Sequence, residues 1–549
     1  MGKDRGNEAT ASGVSRRSVL VGSSGAALGL GLAQRVLAAG DPVVETASGK
    51  VRGIAEPGVH VFRGVRYGET TGGIHRFMPP VKARPWAGVK DAQAYGNSCA
   101  QLPGAAYPIA AWYTKIEPVS EDCLFLNVYT PAASHSQRRP VMVWLHGGAW
   151  GGCAGSAPGF DGTHLARDND VVVVTINHRI NIFGHMVLET KDARFADSGN
   201  TGVLDMVAAL QWVRDNIAGF GGDPKNVTIF GQSGGAAKVA TLMAFPPARG
   251  LFHKGIMESF SGGIHLRTPD EAADMAYRCA KAAGLQRADA KAMQALPMDQ
   301  LIATMKTMTD AVYPILDHRN FTHHPYDPGL PPQSANIPLM IGNAATECTW
   351  WMGSDLKNFQ IEDADTRRRI GRYLSVDASE TNRLVDIYRD AMQGATPVDL
   401  MIAIVTDFQF RKNTMHIADM KATDGKAPVY YYVFDWKTPV YGGVLRTPHT
   451  LEVPFVFGST EAAVASVGTG PEVAALTRTF QSTWAAFARS GNPNNPTLPQ
   501  WPAYDEKTKP SMMLGLQSRV ENDPGGVPRR AMAALPAYEY AVPLSYNRA

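Results

Sequence analysis

The sequence has little of what marks the special classes of chain. It has only five cysteines in 549 residues, too few for a disulfide scaffold, and no two have the close spacing of a zinc site. Charge of one sign is lacking too, with 53 Lys and Arg against 50 Asp and Glu, a formal net charge of +3. This excludes the basic stripe of a nucleic-acid binder and the acidic tail of a solvating segment. Charge runs, low-complexity tracts and internal repeats are absent, which argues against disorder and against a solenoid. Beyond the first forty residues no stretch is apolar enough to cross a bilayer. What remains is ordinary globular usage, 44% hydrophobic and 19% charged.

Residues 1–39 differ. Ser15-Arg16-Arg17-Ser18-Val19-Leu20 leads into a Gly-, Ala- and Leu-rich run to about Leu32, and Val36-Leu37-Ala38-Ala39 follows. Twin arginines, a glycine-diluted apolar core and a small-residue end predict a twin-arginine export signal. Its cleavage would leave a soluble periplasmic or secreted bacterial protein without stable membrane association. An uncleaved anchor is the alternative, but the run is short for a span of about 20 residues. In such a compartment Cys99 and Cys123, which flank a Gly-, Pro- and Ala-rich loop, are the pair favoured for a disulfide, against two buried free thiols. Cys153, Cys279 and Cys348 are unassigned.

Short apolar runs at 141–145, 171–176, 227–230, 256–257, 338–341 and 429–434 each end in a Gly-, Asn- or Asp-containing turn. Continuous runs of this kind fit strands buried on both faces. Between them, Val203, Val207, Leu210, Val213 and Ile217 recur at helical spacing, as do Val473, Leu476, Phe480, Trp484 and Phe487. Pro471 near the start and Gly491 past the end bracket the second helix. The alternation predicts one large α/β unit over residues 40–549, a mostly parallel sheet flanked by helices. Helical insertions at about 263–333 and 355–426 are expected to cover the active edge.

The chemistry begins at Val227-Thr228-Ile229-Phe230-Gly231-Gln232-Ser233-Gly234-Gly235, a strand running through Gly-x-Ser-x-Gly into a helix-forming stretch. The glycines permit a sharp turn that lifts the Ser233 hydroxyl above the sheet at a helix N-terminus. A serine needs a base, and in such a fold the chain order is nucleophile, acid, histidine. His449 lies in a loop after the strand ending near Phe434, whereas His416 falls in a helical stretch; His449 is the expected base. Glu347, in the turn after the strand at 338–341, is the expected acid. Asp317, Asp355 and Glu452 are its rivals and fit the order or spacing less well. Ester cleavage also needs donors for an oxyanion, and His146-Gly147-Gly148-Ala149-Trp150-Gly151-Gly152 can present consecutive N–H groups, with Gly234 N–H beside them. No Lys-Ser/Thr closes that run, so it is not a phosphate loop.

With these residues in place, the chain resembles the type-B carboxylesterase family, in the branch of cholinesterases and bacterial p-nitrobenzyl esterases. Ser120-Glu121-Asp122-Cys123-Leu124-Phe125-Leu126-Asn127-Val128 is very close to a family signature, and the resemblance covers nearly all of residues 40–549. Arg63-Gly64-Val65-Arg66-Tyr67, Arg76-Phe77-Met78-Pro79-Pro80, Asn177-His178-Arg179 and Phe220-Gly221-Gly222-Asp223-Pro224 are similar to further blocks. The resemblance implies an α/β-hydrolase fold and a triad of Ser233, Glu347 and His449. It also implies an oxyanion hole of Gly148, Ala149 and Gly234, and a Cys99–Cys123 disulfide. Ser259 resembles a second serine that supports the triad; Trp150 and Trp351 are candidates for lining the pocket. Departures are Gln232-Ser233-Gly234 where the family usually has Glu-Ser-Ala, and Ala149 where it usually has glycine. The expected activity is hydrolysis of a small-molecule ester through an acyl-enzyme, with no metal or organic cofactor. Amide or carbamate hydrolysis by the same triad, or a non-catalytic binding protein of this fold, are the alternatives.

Overall fold

The computed structural model of the chain describes residues 40–104, 108–116, 118–309 and 311–538. The expected export signal lies outside them. Eleven strands form the main sheet: β1 (Ile54–Glu56), β2 (Val59–Arg66), β3 (Phe125–Thr130), β4 (Arg139–Leu145), β5 (Val172–Ile176), β6 (Gly222–Gln232), β7 (Lys254–Glu258), β8 (Leu339–Ala344), β9 (Val429–Phe434), β10 (Pro510–Leu514) and β11 (Arg519–Asn522). Their order is β11-β10-β9-β8-β7-β6-β4-β5-β3-β2-β1. From β5 through β10 every neighbouring pair is parallel, and the edges are antiparallel. This is the predicted α/β architecture.

Every residue of β5, β7, β8, β9 and β10 is buried, which is why their sequences are runs rather than alternations. Helix α1 (Thr201–Asn216) buries Val203, Val207, Leu210 and Val213 against the sheet. Helix α2 (Gly234–Ala244) follows β6 directly and is buried along its whole length. Helix α4 (Pro471–Ser490) buries Val473, Leu476, Phe480, Trp484 and Phe487; it ends at Gly491 in the left-handed conformation, with Gly491 N–H donating to Phe487 O at 2.7 Å. Each large apolar side chain so buried contributes on the order of 1.5–3 kcal/mol.

Charged residues of the signature blocks tie the amino-terminal segment to the sheet. Arg66 meets Asp122 through two bonds of 2.6 and 2.7 Å, and Arg76 meets Glu121 through two of 2.6 Å. Arg179 and Asp205 form a fully buried pair, with the Arg179 N–H and Nε both donating to one Asp205 oxygen. The planar guanidinium matches the carboxylate through parallel bonds, Nη2 donating to the other Asp205 oxygen at 2.7 Å, while Nη1 donates to Met78 O.

The segment at 355–426 is mostly helical, whereas that at 263–333 has three α-helices among its described residues, Pro269–Ala282, Ala290–Ala295 and Met298–Met305, and is otherwise mostly irregular. Pro269–Ala282 starts with a capping box of Thr268 and Glu271, and Pro397–Thr406 with one of Thr396 and Asp399. Helices Asp363–Leu374, Ala378–Ala391 and Pro397–Thr406 pack into a small core of their own, with Ile370, Leu384, Tyr388, Met401 and Val405 at its centre. The last of these runs through a π-helical turn, Asp407–Arg411, into α3 (Lys412–Asp424). The insertion therefore carries its own hydrophobic support, which lets it hold Gln409 and Phe410 over the strand ends.

Candidate active site

The site is assembled at the carboxyl ends of adjacent parallel strands, where an open α/β sheet leaves a crevice. Ser233 follows β6 with φ 60° and ψ −121°, a conformation that a serine adopts only when its surroundings over-determine it. Its N–H donates to Glu258 O at 2.8 Å, and its carbonyl accepts from Ala237 N–H at 3.1 Å. A Cβ on Gly231 would lie 2.6 Å from both Leu145 O and Gly235 C, and one on Gly235 would lie 2.1 Å from Leu145 O. The two glycines of the motif are thus required by the crossing of β6 and α2 against β4. Among the described residues the Ser233 hydroxyl makes no hydrogen bond; it opens into a cavity.

The loop after β4 lies across the start of α2. Gly148 and Ala149 both have positive φ, 76° and 50°. Gly148 O accepts from the N–H groups of Gly151 and Gly152, both at 3.1 Å. Among the described residues, the N–H groups of Gly148, Ala149 and Gly234 donate to nothing; all three are adjacent to Ser233 in space or sequence, and Gly148 and Ala149 line its cavity. Gly234 sits so close beneath this loop that a Cβ there would lie 2.2 Å from Ala149 O and 2.4 Å from Ala149 Cα. The two small-residue departures from the family pattern therefore touch each other.

His449 and Glu347 lie on the loops after β9 and β8 and are both buried. His449 Nδ1–H donates to Glu347 Oε2 at 2.5 Å, while Glu347 Oε1 accepts from Ala344 N–H at 2.7 Å. The loops are laced together: His449 N–H donates to Glu347 O at 3.1 Å, and Thr447 N–H donates to Thr346 Oγ1 at 2.9 Å. Trp351 stacks on the imidazole at 5.0 Å and 24°, and Phe410 lies on it at 4.9 Å. Gln232 places its amide nitrogen 3.2 Å from both ring nitrogens. With Nδ1 donating to Glu347, Nε2 is the ring atom able to accept.

Ser233, Gly148, Ala149, Trp351 and His449 line one cavity of about 260 Å³. Sequence reasoning missed several of its walls: Tyr113, Thr114, Trp350, Gln409, Phe410 and Tyr538 also line it. No local signal marks them; the π turn that aims Gln409 and Phe410 inward is hidden in a continuous helical pattern. Ser259, just past β7, has φ 55°, and its hydroxyl donates to Glu452 Oε1 at 3.2 Å. Glu452, one of the rival acids, is buried there, and burial with the nearby Glu347 and Glu258 pushes its carboxyl well above the usual range.

Two expectations meet a different arrangement. Trp150 is not in the cavity wall. Its ring turns under the loop, edge-on to His185 at 5.1 Å, and is 2% exposed. The Cys99–Cys123 bond is not formed; both are buried free thiols with Cys99 in hydrogen-bonding contact with Cys123, which raises the Cys123 thiol well above its usual range. Cys153, Cys279 and Cys348 are buried as well. His416 stands on an exposed face of α3, Asp317 accepts from Asn200 and Asn320, and Asp355 is an exposed helix cap. No group of metal-ligating side chains is found among the described residues, nor a helix long and apolar enough to cross a membrane.

Residues 40–527 match the family described as "Carboxylesterase family". The chain is 35% identical over 505 residues to the para-nitrobenzyl esterase of Bacillus subtilis, covering 89% of this chain and 98% of that one. It is 32% identical to the phenmedipham hydrolase of Pseudarthrobacter oxydans, covering 86% and 95%. The crystal structure of a Geobacillus stearothermophilus carboxylesterase superposes with a TM-score of 0.78 at 37% identity, covering 89% of this chain and 99% of that one. With an α/β-hydrolase sheet, an elbow serine at its crevice and this likeness along most of its length, the chain belongs to the carboxylesterase family and is a carboxylic ester hydrolase.

Proposed function

We propose that Ser233 is the nucleophile, His449 its base and Glu347 the acid that orients the base, with the N–H groups of Gly148, Ala149 and Gly234 as the oxyanion hole. One observation carries this reading. The imidazole that shares the Ser233 cavity gives its Nδ1–H to a buried carboxylate, which makes Nε2, beside the Gln232 amide, the nitrogen that takes a proton. Attack transfers the Ser233 proton to His449 Nε2 as Ser233 Oγ bonds to the ester carbonyl carbon. The carbonyl oxygen takes up negative charge beside the three N–H groups, each such donor accounting for roughly 3 kcal/mol of barrier lowering. Collapse of the tetrahedral intermediate breaks the bond to the alcohol oxygen, which leaves with the proton from His449. Water then attacks the acyl-enzyme with His449 again as base, releasing the acid and restoring Ser233. Ser259 and Glu452 support the loop of His449 from behind, and Trp351 and Phe410 shape the acyl pocket. The Ser233–His449 contact is expected to tighten once substrate fills the cavity.

The substrate is a small-molecule ester. Two further readings accompany this one: residues 1–39 direct export by the twin-arginine route to the periplasm or medium, and Cys99 and Cys123 become bonded there.

Ser233→Ala should abolish hydrolysis of p-nitrophenyl esters and labelling by an organophosphonate while leaving the circular dichroism spectrum unchanged. His449→Ala should be inactive and His416→Ala close to wild type. Wild-type turnover in Ser233→Ala, or the reverse pattern between the histidines, would end the assignment.

A further inference from the structure

Helix α2 carries a lysine in a place where no carboxylate meets it. Lys238 is one turn beyond Ser233 and fully buried, and no ion pair to it is found among the described residues. Its Nζ instead donates to backbone carbonyls of the loop after β4: His146 O at 2.7 Å, Ala149 O at 2.9 Å and Gly147 O at 3.4 Å. The Trp150 ring covers the same nitrogen at 5.3 Å. This accounts for Trp150 lying beneath the loop rather than in the cavity.

In a trans peptide the carbonyl and the following N–H point in opposite directions. Gly147 O faces Lys238 at 3.4 Å and His146 Nδ1 at 3.0 Å, so the Gly148 N–H is turned away from both, and the bonds from Gly151 and Gly152 to Gly148 O point the Ala149 N–H away from those two residues. The two short Lys238 bonds, to His146 O and Ala149 O, hold the ends of the segment that carries both N–H groups. The third donor, Gly234 N–H, belongs to the helix that carries Lys238. We propose that Lys238 is a positioning residue for ester hydrolysis: by gripping the loop's carbonyls from α2, it holds the two halves of the oxyanion hole in register. The proposal rests on the assignment of Ser233 and its neighbours above.

The positive φ of Ala149, 50°, calls for such a grip, since a residue with a Cβ keeps that conformation only when surrounding bonds hold it; Gly148 adopts its own without strain. Burial pushes the Lys238 ammonium down to about 7. Loss of that proton leaves two N–H groups for the short bonds to His146 O and Ala149 O, which bracket Gly148, and gives up only the longer approach to Gly147 O. One surrounding titratable group shares a carbonyl with the lysine, His146 Nδ1 lying 3.0 Å from Gly147 O, whereas His146 O and Ala149 O are contacted by Lys238 at shorter distances. Burial holds His146, His178 and His185 below their ordinary range and pushes the Cys153 thiol up to about 12.

The test compares Lys238→Met and Lys238→Gln with wild type in hydrolysis of p-nitrophenyl acetate and in inhibition by an alkyl trifluoromethyl ketone, which forms a tetrahedral adduct on serine. In Lys238→Met, kcat should fall roughly 30-fold or more with KM within about threefold, and the ketone's Ki should rise by the same factor as kcat falls. Lys238→Gln, which keeps a donor, should recover part of both. A purely structural lysine would lower the melting temperature without linking kcat to Ki. Wild-type kcat in Lys238→Met, or a lowered kcat with unchanged Ki, overturns the proposal. If Lys238→Met does not fold, Lys238→Gln decides by the same two readouts. Ser233→Ala is assayed alongside: turnover there would sink the nucleophile assignment, whereas a dead Ser233→Ala with a fully active lysine variant sinks only the role of Lys238.

Discussion

The side-chain amide of Gln232 lies against the imidazole of His449, its nitrogen 3.2 Å from each ring nitrogen. This amide is the polar group that residue 232 brings to the ring, and a hydrocarbon side chain in its place would leave that contact unmade. Gln232→Leu should therefore lower kcat for ester hydrolysis by roughly tenfold with KM little changed, since a small displacement of a reacting group is costly. Wild-type kcat in this variant would mean that residue 232 does not position His449.

Ala149 and Gly234 are in contact through the loop backbone, which leaves no room for a Cβ at 234. Gly234→Ala should push the loop away and lower kcat by roughly tenfold or more, as loss of a well-placed oxyanion donor does. Adding Ala149→Gly relaxes the loop and should restore much of that loss. A double-mutant cycle on kcat measures the coupling; additive effects would show that the two positions act separately.

Glu258 is buried beside Glu452. Trp484 Nε1–H donates to Glu258 Oε1 at 2.8 Å, and its other oxygen has no partner among the described residues. Burial raises this carboxyl from 4.5 to about 8. Between those values the folded protein holds a proton that the unfolded chain has released, so stability is greatest below 4.5 and falls as pH rises toward 8. The slope is on the order of 1 kcal/mol per pH unit for one such group. Glu258→Gln keeps the acceptor for Trp484 and removes the titration; urea unfolding at pH 5.0 and 7.5 should show a smaller drop than in wild type.

The two thiols of Cys99 and Cys123 touch without being bonded. Export into an oxidising compartment should join them, leaving three reactive thiols in the denatured, non-reduced protein and five after reduction. Peptide mapping should recover the 99–123 link. Closing a loop of this length is worth about 3 kcal/mol in the chain-entropy model, so reduction should lower the melting temperature by a few degrees. Five free thiols in protein recovered from the periplasm would contradict the bond.

Much of the fold was legible in the sequence because buried parallel strands and amphipathic helices carry their own periodicity. The runs at 141–145 and 429–434 lie within β4 and β9, and the Pro471 and Gly491 boundaries bracket α4. Glu347 and His449 could be picked out by chain order and by their place after strands. The cavity walls could not: Phe410 comes from a π turn, Tyr113 from a short helix far upstream, and Tyr538 from the carboxyl-terminal segment.

From the amino-acid order alone came the strand–turn–helix that exposes Ser233, the glycine-rich loop after β4 and the class of chemistry these permit. Those depend on backbone sterics and hydrogen bonding within a few residues, which composition and spacing report directly. The tertiary structure decided that Gln232 lies against His449, that Lys238 bonds the carbonyls of the loop after β4 and that Trp150 turns inward. Each of these is a contact across the chain, set by how packed elements exclude water and satisfy buried polar groups, and no local pattern encodes it.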